Sequence, residues 1–396
     1  MAAEKRVLIL TLSVGAGHLQ ASAVIRDALV SSSEDVDART LDALELSETW
    51  FPWLYVQPYW WMLRYRRELW GALYEWRQRR RHRATAPSWV FRRGCAKVLE
   101  ELRRFAPHLV IVTEIGAAEI AALGKREGWF SAPILAVLTD FQAETPWVQP
   151  EIEYYCVATD LARTQLISWG VPPSRVMISG IPIHPAFTCP FNRAETRRSL
   201  GLSPGGFVAL LMAGGLGLAP LDLMAEQLES CGMPLRALAV AGRDEALRAR
   251  LARLRGKLAL DLVPFGWTER VPELMAASDV LITKPGGLTV SEALASGLPM
   301  ILTHPIPGPE ERNIQYLVRR HVAVHAKTLE QIPRLASQLL RKPARREEMA
   351  RQARELSRPD AARVIAQLGT AILERNTSLD LLAPPPLRSG ESAFVM

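Results

Sequence analysis

Cysteine is scarce: Cys95, Cys156, Cys189 and Cys231 stand far apart in 396 residues and form no Cys-x-x-Cys pair. That excludes a disulfide scaffold and a thiolate zinc site, and predicts reduced, mostly buried thiols in a cytosolic protein. Long apolar runs are missing as well. No stretch of about 18–20 uninterrupted apolar residues occurs, so nothing is expected to span a bilayer. The nearest approach, Phe207 to Leu218, is broken by Gly214, Gly215 and Gly217. Val7 to Leu12 is too short for the apolar region of a secretory signal, and no cleavage site follows it. No Asp-x-Asp pair lies in a loop suited to hold a metal ion, and no metal ligand set is expected.

The chain contains 48% hydrophobic and 22% charged residues, which is the balance of a folded protein. Its length suits two domains of about 180 residues each. Net charge is +7, but it is unevenly placed. Between Arg64 and Arg104 there are 13 Lys/Arg against 4 Asp/Glu, a local +9 that leaves −2 for the rest. One segment therefore makes the protein basic, which points to one anionic surface as a partner.

Short β-rich runs alternate with helical patterns. Strands are expected at Val7–Leu12, Leu109–Val112, Ile134–Leu138, Tyr154–Val157, Val176–Ile178, Val208–Met212, Ala237–Ala241, Leu260–Val263, Val280–Thr283 and Met300–Leu302. Continuous apolar strands with helical crossovers predict an α/β fold of two doubly wound, Rossmann-like parallel sheets facing a cleft. Pro185 to Ser203 interrupts the pattern, giving domains at 1–188 and 189–375. The last helices are free to pack back on the first domain. Residues 376–396, with Pro384-Pro385-Pro386, are expected to be a disordered tail.

Each half opens with a strand running into a glycine-rich turn. Ser13-Val14-Gly15-Ala16-Gly17-His18 is the first; alone it reads equally well as a tight strand–helix turn. Ala213-Gly214-Gly215-Leu216-Gly217 is the second. Pro285-Gly286-Gly287-Leu288-Thr289-Val290-Ser291-Glu292 is more specific. Consecutive glycines expose N–H groups to a diphosphate, and Glu292 sits one turn in, where it could take two ribose hydroxyls. Thr289-x-x-Glu292 also reads as a helix capping box. Glu310, Glu311 and Asn313 form a polar loop near the same cleft edge. Asp140 and Glu114 follow strands of the first half, as a base, a hydrogen-bonding group or helix caps.

Seven of the eleven tryptophans fall between Trp50 and Trp89. Trp53, Trp60, Trp61 and Trp70 are interleaved with Arg64, Arg66, Arg67, Arg79, Arg80 and Arg81. Tryptophan favours the headgroup region, and each basic residue near an anionic leaflet contributes about 1 kcal/mol. The segment is therefore read as an anchor on an anionic membrane surface. Single-stranded nucleic acid also wants aromatics and arginine. The Trp/Phe/Leu/Met content of Trp50 to Leu73 is too apolar for a solvated groove, so no nucleic-acid partner is expected.

Together these motifs resemble the monogalactosyldiacylglycerol synthase and processive diacylglycerol glucosyltransferase family, relatives of the MurG transferase in glycosyltransferase family 28. The likeness runs from Arg6 to about Arg341. It is densest in Phe265-Gly266-Trp267, in Met275 to Asp279, in Ile282 to Thr289, and in Glu292-Ala293-Leu294. Gly297-Leu298-Pro299 and Pro307-Gly308 extend it, and Ser13 to His18, Thr139-Asp140 and Gly180 to Ile183 carry it in the first half. The resemblance implies a GT-B fold and an inverting transferase. It would be metal-independent, with no cofactor, and would move galactose or glucose from a UDP-sugar to diacylglycerol or a related glycerolipid. It would lie peripherally on the cytoplasmic face of the cell membrane.

By the same resemblance, His18 would sit beside the acceptor hydroxyl, with Gly15, Gly17 and Glu114 around the acceptor. Gly214, Gly215, Gly286, Gly287, Leu288 and Thr289 would hold the donor, Glu292 its ribose, and Phe265 and Gly266 its uracil. Glu310, Glu311 and Asn313 would lie near the sugar or diphosphate. His18, with an ordinary pKa near 6.5, is preferred over Asp140 as the base. Three positions depart from the family pattern: Leu216 replaces a third glycine, Pro309 a glutamine and His184 an arginine. Transfer of N-acetylglucosamine to a polyprenyl or other lipid, epimerisation of a UDP-sugar, and a non-catalytic UDP-sugar sensor on the membrane are the rival expectations.

Overall fold

A computed structural model describes residues 5–80, 84–215, 219–232 and 234–374. The expected tail at 376–396, Arg81, Leu216 and Gly217 lie outside the described residues. The first sheet contains β1 (Lys5–Thr11), β2 (Val36–Asp42), β3 (Leu109–Val112), β4 (Ile134–Val137), β5 (Tyr154–Val157) and β6 (Val176–Ile178), ordered β2-β1-β3-β4-β5-β6. The second contains β7 (Phe207–Met212), β8 (Leu235–Val240), β9 (Asp261–Phe265), β10 (Val280–Thr283), β11 (Met300–Leu302) and β12 (Ala323–His325), ordered β12-β11-β10-β7-β8-β9. Both sheets are parallel throughout, with Val7 opposite Leu109 in the first and Val280 opposite Ala209 in the second. Apolar side chains fill both faces of the central strands, as a sheet covered by helices on both sides requires.

Two strands are absent from the sequence expectation, β2 and β12, and both are sheet edges. β2 carries Asp37 and Arg39 among its apolar residues, and β12 is only three residues long. Edge strands need no two-sided apolar run, so periodicity does not mark them.

The helices that build the cleft are α1 (Ala16–Ser32), α2 (Gln57–Tyr65), α3 (Arg67–Arg79), α4 (Ile115–Arg126), α5 (Gly287–Ala295) and α6 (Pro309–Arg319). Two more, α7 (Pro343–Leu356) and α8 (Ala361–Leu373), end the described chain. α8 lies on the first sheet, where Ile365, Leu368 and Ile372 join Val7, Ile9 and Leu109 in one buried cluster. α2 and α3 form a hairpin broken at Arg66, with Tyr74 buried against the protein. Among the described residues no helix is long and apolar enough to cross a membrane. Cys95 and Cys156 are buried and Cys231 is half-buried, while Cys189 is exposed on the segment joining the two sheets.

Candidate active site

Each sheet reverses its strand order once, between β1 and β3 and between β7 and β10. Loops leaving the carboxyl ends there splay apart and open a crevice. The Ser13–His18 turn follows β1 and Glu114 follows β3. Gly214-Gly215 follows β7 and Lys284 to Gly287 follows β10. The two crevices face each other and enclose two adjoining cavities.

The first cavity, of about 190 Å³, is walled by Gly15, Gly17, Gly214, Gly215, Gly286 and Gly287 with Leu288, Thr289, Lys284 and Glu310. Lys284 is the one Lys or Arg among its described wall residues. Its ammonium pairs with Glu310, whose other oxygen accepts the Ile306 N–H at 2.8 Å. The second cavity, of about 350 Å³, lies under the hairpin and is mostly apolar, with Leu54, Met62, Trp70, Leu73 and Trp147 in its wall. Glu114, Glu144 and Arg77 supply its polar end. Val14, His18, Tyr59, Thr139, Asp140 and Pro309 belong to both walls, so His18 and Asp140 stand where the cavities meet.

His18 lies in the first turn of α1. Its Nδ1 is 3.0 Å from the Thr113 carbonyl and 3.1 Å from Thr139 Oγ1. The carbonyl can only accept, so Nδ1 carries the proton and Nε2 keeps its lone pair. Burial lowers the pKa of His18 to about 4; the Thr113 carbonyl opposes this and the Lys284 charge adds to it. The ordinary value near 6.5 therefore does not apply, and the imidazole is neutral at pH 7. Asp140 moves the other way. Burial pushes it up to about 7 against a 2.9 Å hydrogen bond from Asn313 Nδ2, with Glu144 and Glu310 raising it further.

Asn313 comes from the second domain and is fully buried. Its amide donates to Asp140 and to the Pro285 carbonyl at 3.0 Å, and its oxygen accepts the Phe141 N–H at 3.3 Å. It ties the domains together at the reacting end of the cleft, with all its hydrogen-bonding atoms occupied. Glu311, expected at the sugar, is instead exposed and caps α6 by accepting the Gly308 N–H at 3.0 Å. A carboxylate at that helix position satisfies an otherwise unpaired N–H. Glu114 also caps a helix, accepting the Ala117 N–H at 3.1 Å, while lining the second cavity. Burial raises its pKa to about 7.

The capping box expected from Thr289 and Glu292 does not form, because α5 begins at Gly287 with Gly286 as its cap. Thr289 lines the first cavity instead. Glu292 is buried, has no hydrogen-bond partner among the described residues, and is pushed up to about 7 by burial. It lies one turn into α5 and lines neither cavity wall, and burial favours its neutral acid form. Phe265 and Gly266 close the carboxyl end of β9, outside both cavity walls.

The tryptophan–arginine segment divides. Trp53 (73% exposed), Trp61 (53%) and Trp76 (50%) face outward with Leu54, Tyr65 and Leu69. Arg64, Arg66, Arg79 and Arg80 are exposed beside them. Trp60 and Trp70, expected on the membrane, turn inward to line the first and second cavities. Arg67 donates to the Pro305 carbonyl of the second domain at 2.5 Å. Arg312 reaches back to Glu75 at 3.0 Å, so the hairpin bridges both domains.

Lys284 and Glu144 were not picked out as site residues from the sequence, and Arg77, expected to be exposed with Arg79 and Arg80, is instead only 11% exposed because Glu144 pairs its charge. Lys284 had a usable signal, since it immediately precedes Pro285-Gly286-Gly287. Arg77 and Glu144 pair at 2.8 Å across 67 residues of chain, and no local pattern announces that.

Residues 18–183 match the family model for monogalactosyldiacylglycerol (MGDG) synthase, and residues 221–356 that for glycosyl transferases group 1. A processive diacylglycerol β-glucosyltransferase of Bacillus cytotoxicus is 30% identical over 376 residues, 94% of each chain. That of Bacillus subtilis is 33% identical over 236 residues, covering 59% of this chain and 62% of its own. Among solved structures, Acinetobacter baumannii MurG superposes with a TM-score of 0.61 at 16% identity, covering 92% of this chain and 99% of its own. Anabaena HepE in complex with UDP-glucose gives 0.57 at 15% identity, covering 94% and 100%. These likenesses establish the GT-B fold. The chain belongs to the family of monogalactosyldiacylglycerol synthases and processive diacylglycerol glucosyltransferases.

Proposed function

We propose that this glycolipid glycosyltransferase moves a hexose from a UDP-sugar to the hydroxyl of diacylglycerol or a related glycerolipid. It acts at the cytoplasmic membrane surface, with inversion and without a metal ion. The observation that carries the reading is the meeting of the two cavities at His18 and Asp140. One is a glycine-walled crevice with a half-buried ammonium, suited to a diphosphate. The other is apolar and lies beneath the outward tryptophans, suited to a lipid.

The step is a single displacement. The acceptor oxygen forms a bond to the anomeric carbon while the bond to the β-phosphate oxygen breaks, and UDP leaves with that electron pair. The hydroxyl proton passes to His18 Nε2, which is free because Nδ1–H is held by Thr113. Negative charge growing on the diphosphate meets Lys284, the α5 N-terminus and the glycine N–H groups. Asp140, when ionised, balances positive charge developing on the sugar and the imidazole. Glu292 accepts ribose hydroxyls.

The test is UDP release by the full chain with anionic vesicles containing diacylglycerol, offering UDP-glucose, UDP-galactose and UDP-N-acetylglucosamine in turn. Mass spectrometry of the lipid should show a hexosyl-diacylglycerol. Transfer only to a polyprenyl acceptor would replace the glycerolipid reading. UDP-sugar binding with no UDP release from any donor would indicate a sensor.

The membrane anchor makes its own expectation. Replacing Trp53, Trp61 and Trp76 together with alanine should weaken binding to anionic vesicles by at least about tenfold, because each buries a large ring at the headgroup level. UDP affinity should not change, since none of the three lines the first cavity. Cosedimentation indistinguishable from the unaltered protein would remove the hairpin as the anchor.

A further inference from the structure

Six side chains stand where the two cavities meet, and one of them has no task so far. Val14 and Pro309 are apolar, Thr139 Oγ1 lies 3.1 Å from His18 Nδ1, and Asp140 is held by Asn313. Tyr59 remains. It stands in the first turn of α2 and is half-buried. Its hydroxyl has no hydrogen-bond partner among the described residues, yet it is not sealed in the interior and keeps surface open to the cavities. The ring is held in place, with Trp70 edge-on at 4.7 Å and Trp60 at 5.3 Å.

The surrounding carboxylates say where that hydroxyl lies and what it can do. Burial, together with Glu310, Glu144, Asp140 and Glu114, pushes its pKa well above the usual phenol value, and of the four charges Glu310 acts most strongly. Glu310 lines the first cavity, Glu144 and Glu114 the second, and Asp140 both. The hydroxyl therefore sits at the junction, toward the first cavity, and stays protonated. It is no base; it offers an O–H to donate. A tyrosine hydroxyl in such a place ordinarily has a partner, and with none in the protein the partner is a substrate oxygen. The attacking oxygen is a poor match, because a hydrogen bond donated to it would draw off the lone pair that must reach the anomeric carbon. The diphosphate belongs with Lys284 and the α5 N-terminus. The hydroxyls of the transferred sugar lie between the two, and they accept as well as donate.

We propose that the Tyr59 O–H donates to a hydroxyl oxygen of the hexose being transferred, which makes Tyr59 a specificity-determining residue supplied by the hairpin. The proposal rests on the UDP-hexose reading above and adds to it a residue of the first domain that reads the sugar. Glu310 faces the same cavity from the second domain, so the hexose is met from both sides of the cleft. The hairpin that carries Tyr59 is itself held to the second domain, by Arg67 at the Pro305 carbonyl and by Glu75 at Arg312. The contact is therefore complete only when the hairpin is seated.

The test compares the full chain with Tyr59→Phe, which keeps the ring between Trp60 and Trp70 and removes only the hydroxyl. Calorimetry measures UDP and, separately, whichever of UDP-glucose and UDP-galactose binds more tightly. Tyr59→Phe should lose about five- to tenfold in affinity for the UDP-hexose, the effect of one hydrogen bond, with UDP affinity unchanged. On anionic vesicles containing diacylglycerol, kcat/KM for that donor should fall by at least the same factor while the KM for the lipid stays the same. Each monodeoxy form of the donor sugar is then tried with both proteins. For one of them the two proteins should converge, because the missing oxygen and the missing O–H belong to one interaction and their losses do not add. Losses that add for every deoxy donor, an equal loss with UDP alone, or a loss confined to the KM for the lipid overturns the sugar contact while leaving the transferase reading intact. If no glycerolipid is glycosylated but Tyr59→Phe still weakens UDP-hexose and not UDP, the glycerolipid reading falls and the sugar contact stands.

Discussion

Gly287→Ala should cost on the order of a hundredfold in kcat/KM while the protein stays folded and still binds UDP. A Cβ at Gly287 would lie 1.9 Å from the Thr139 carbonyl oxygen of the opposite domain and 3.2 Å from Ile181 Cδ1. The carbonyl is backbone and cannot step aside, so the domains must separate. They separate where Asp140 follows Thr139 and where the acceptor must approach the donor. Misplacing reacting groups by about 1 Å can cost about a hundredfold. Gly287 is the first residue of α5, so the gain in helix propensity there is smaller than the roughly 1 kcal/mol of an interior position. Parting the domains should therefore lower the melting temperature somewhat while each domain stays folded. Steady-state kinetics, UDP calorimetry and a thermal melt on one preparation decide the matter. Near-normal turnover would show that the close approach of Gly287 to Thr139 is not required for transfer. Gly215→Ala places a Cβ 2.3 Å from Ala16 Cβ and should behave in the same direction.

That contact also shows where the sequence was legible and where it was not. Apolar runs such as Val7 to Leu10 announce central strands, because a parallel strand buried on both faces has no polar positions to spare. The glycine turns were legible as ligand loops, but half their reason was hidden. Gly287 is small because the other domain's backbone presses on it, and Gly215 because the Ala16 methyl does, which only the assembled cleft reveals. Composition marked the tryptophan–arginine segment as unusual without saying which way each ring faces. The fold sends Trp53, Trp61 and Trp76 outward and Trp60 and Trp70 inward. Glu310 and Glu311 are neighbours of one type, yet one pairs with Lys284 and the other caps α6. Lys284 with Glu310, Arg77 with Glu144 and Asp140 with Asn313 are joined only when distant loops meet. Proton affinities are likewise a property of the cleft, since burial moves His18 and Asp140 in opposite directions.

The pH profile should separate the roles of those two residues. Asp140 acts as a carboxylate, and its pKa is pushed up to about 7 in the cleft, so kcat/KM should fall as pH drops through that value. His18 acts as the neutral base and stays unprotonated down to about 4, so it should add a second loss only in strong acid. A diphosphate dianion in the first cavity would offset the Lys284 charge and strengthen His18 as a base in the complex. His18→Ala should lower kcat by about 10²–10⁴, the usual contribution of a general base, with UDP affinity little changed. Asp140→Asn should lower the rate at pH 8 and remove the limb near 7, leaving a profile flat across neutral pH. Glu114 and Glu292 are also raised to about 7, so the assignment needs their glutamine variants as controls. If Asp140→Asn keeps the limb and Glu114→Gln loses it, the titrating carboxylate lies in the acceptor cavity. Turnover unaffected by His18→Ala would leave Asp140 as the proton acceptor, the one of the pair whose proton affinity is matched to neutral pH.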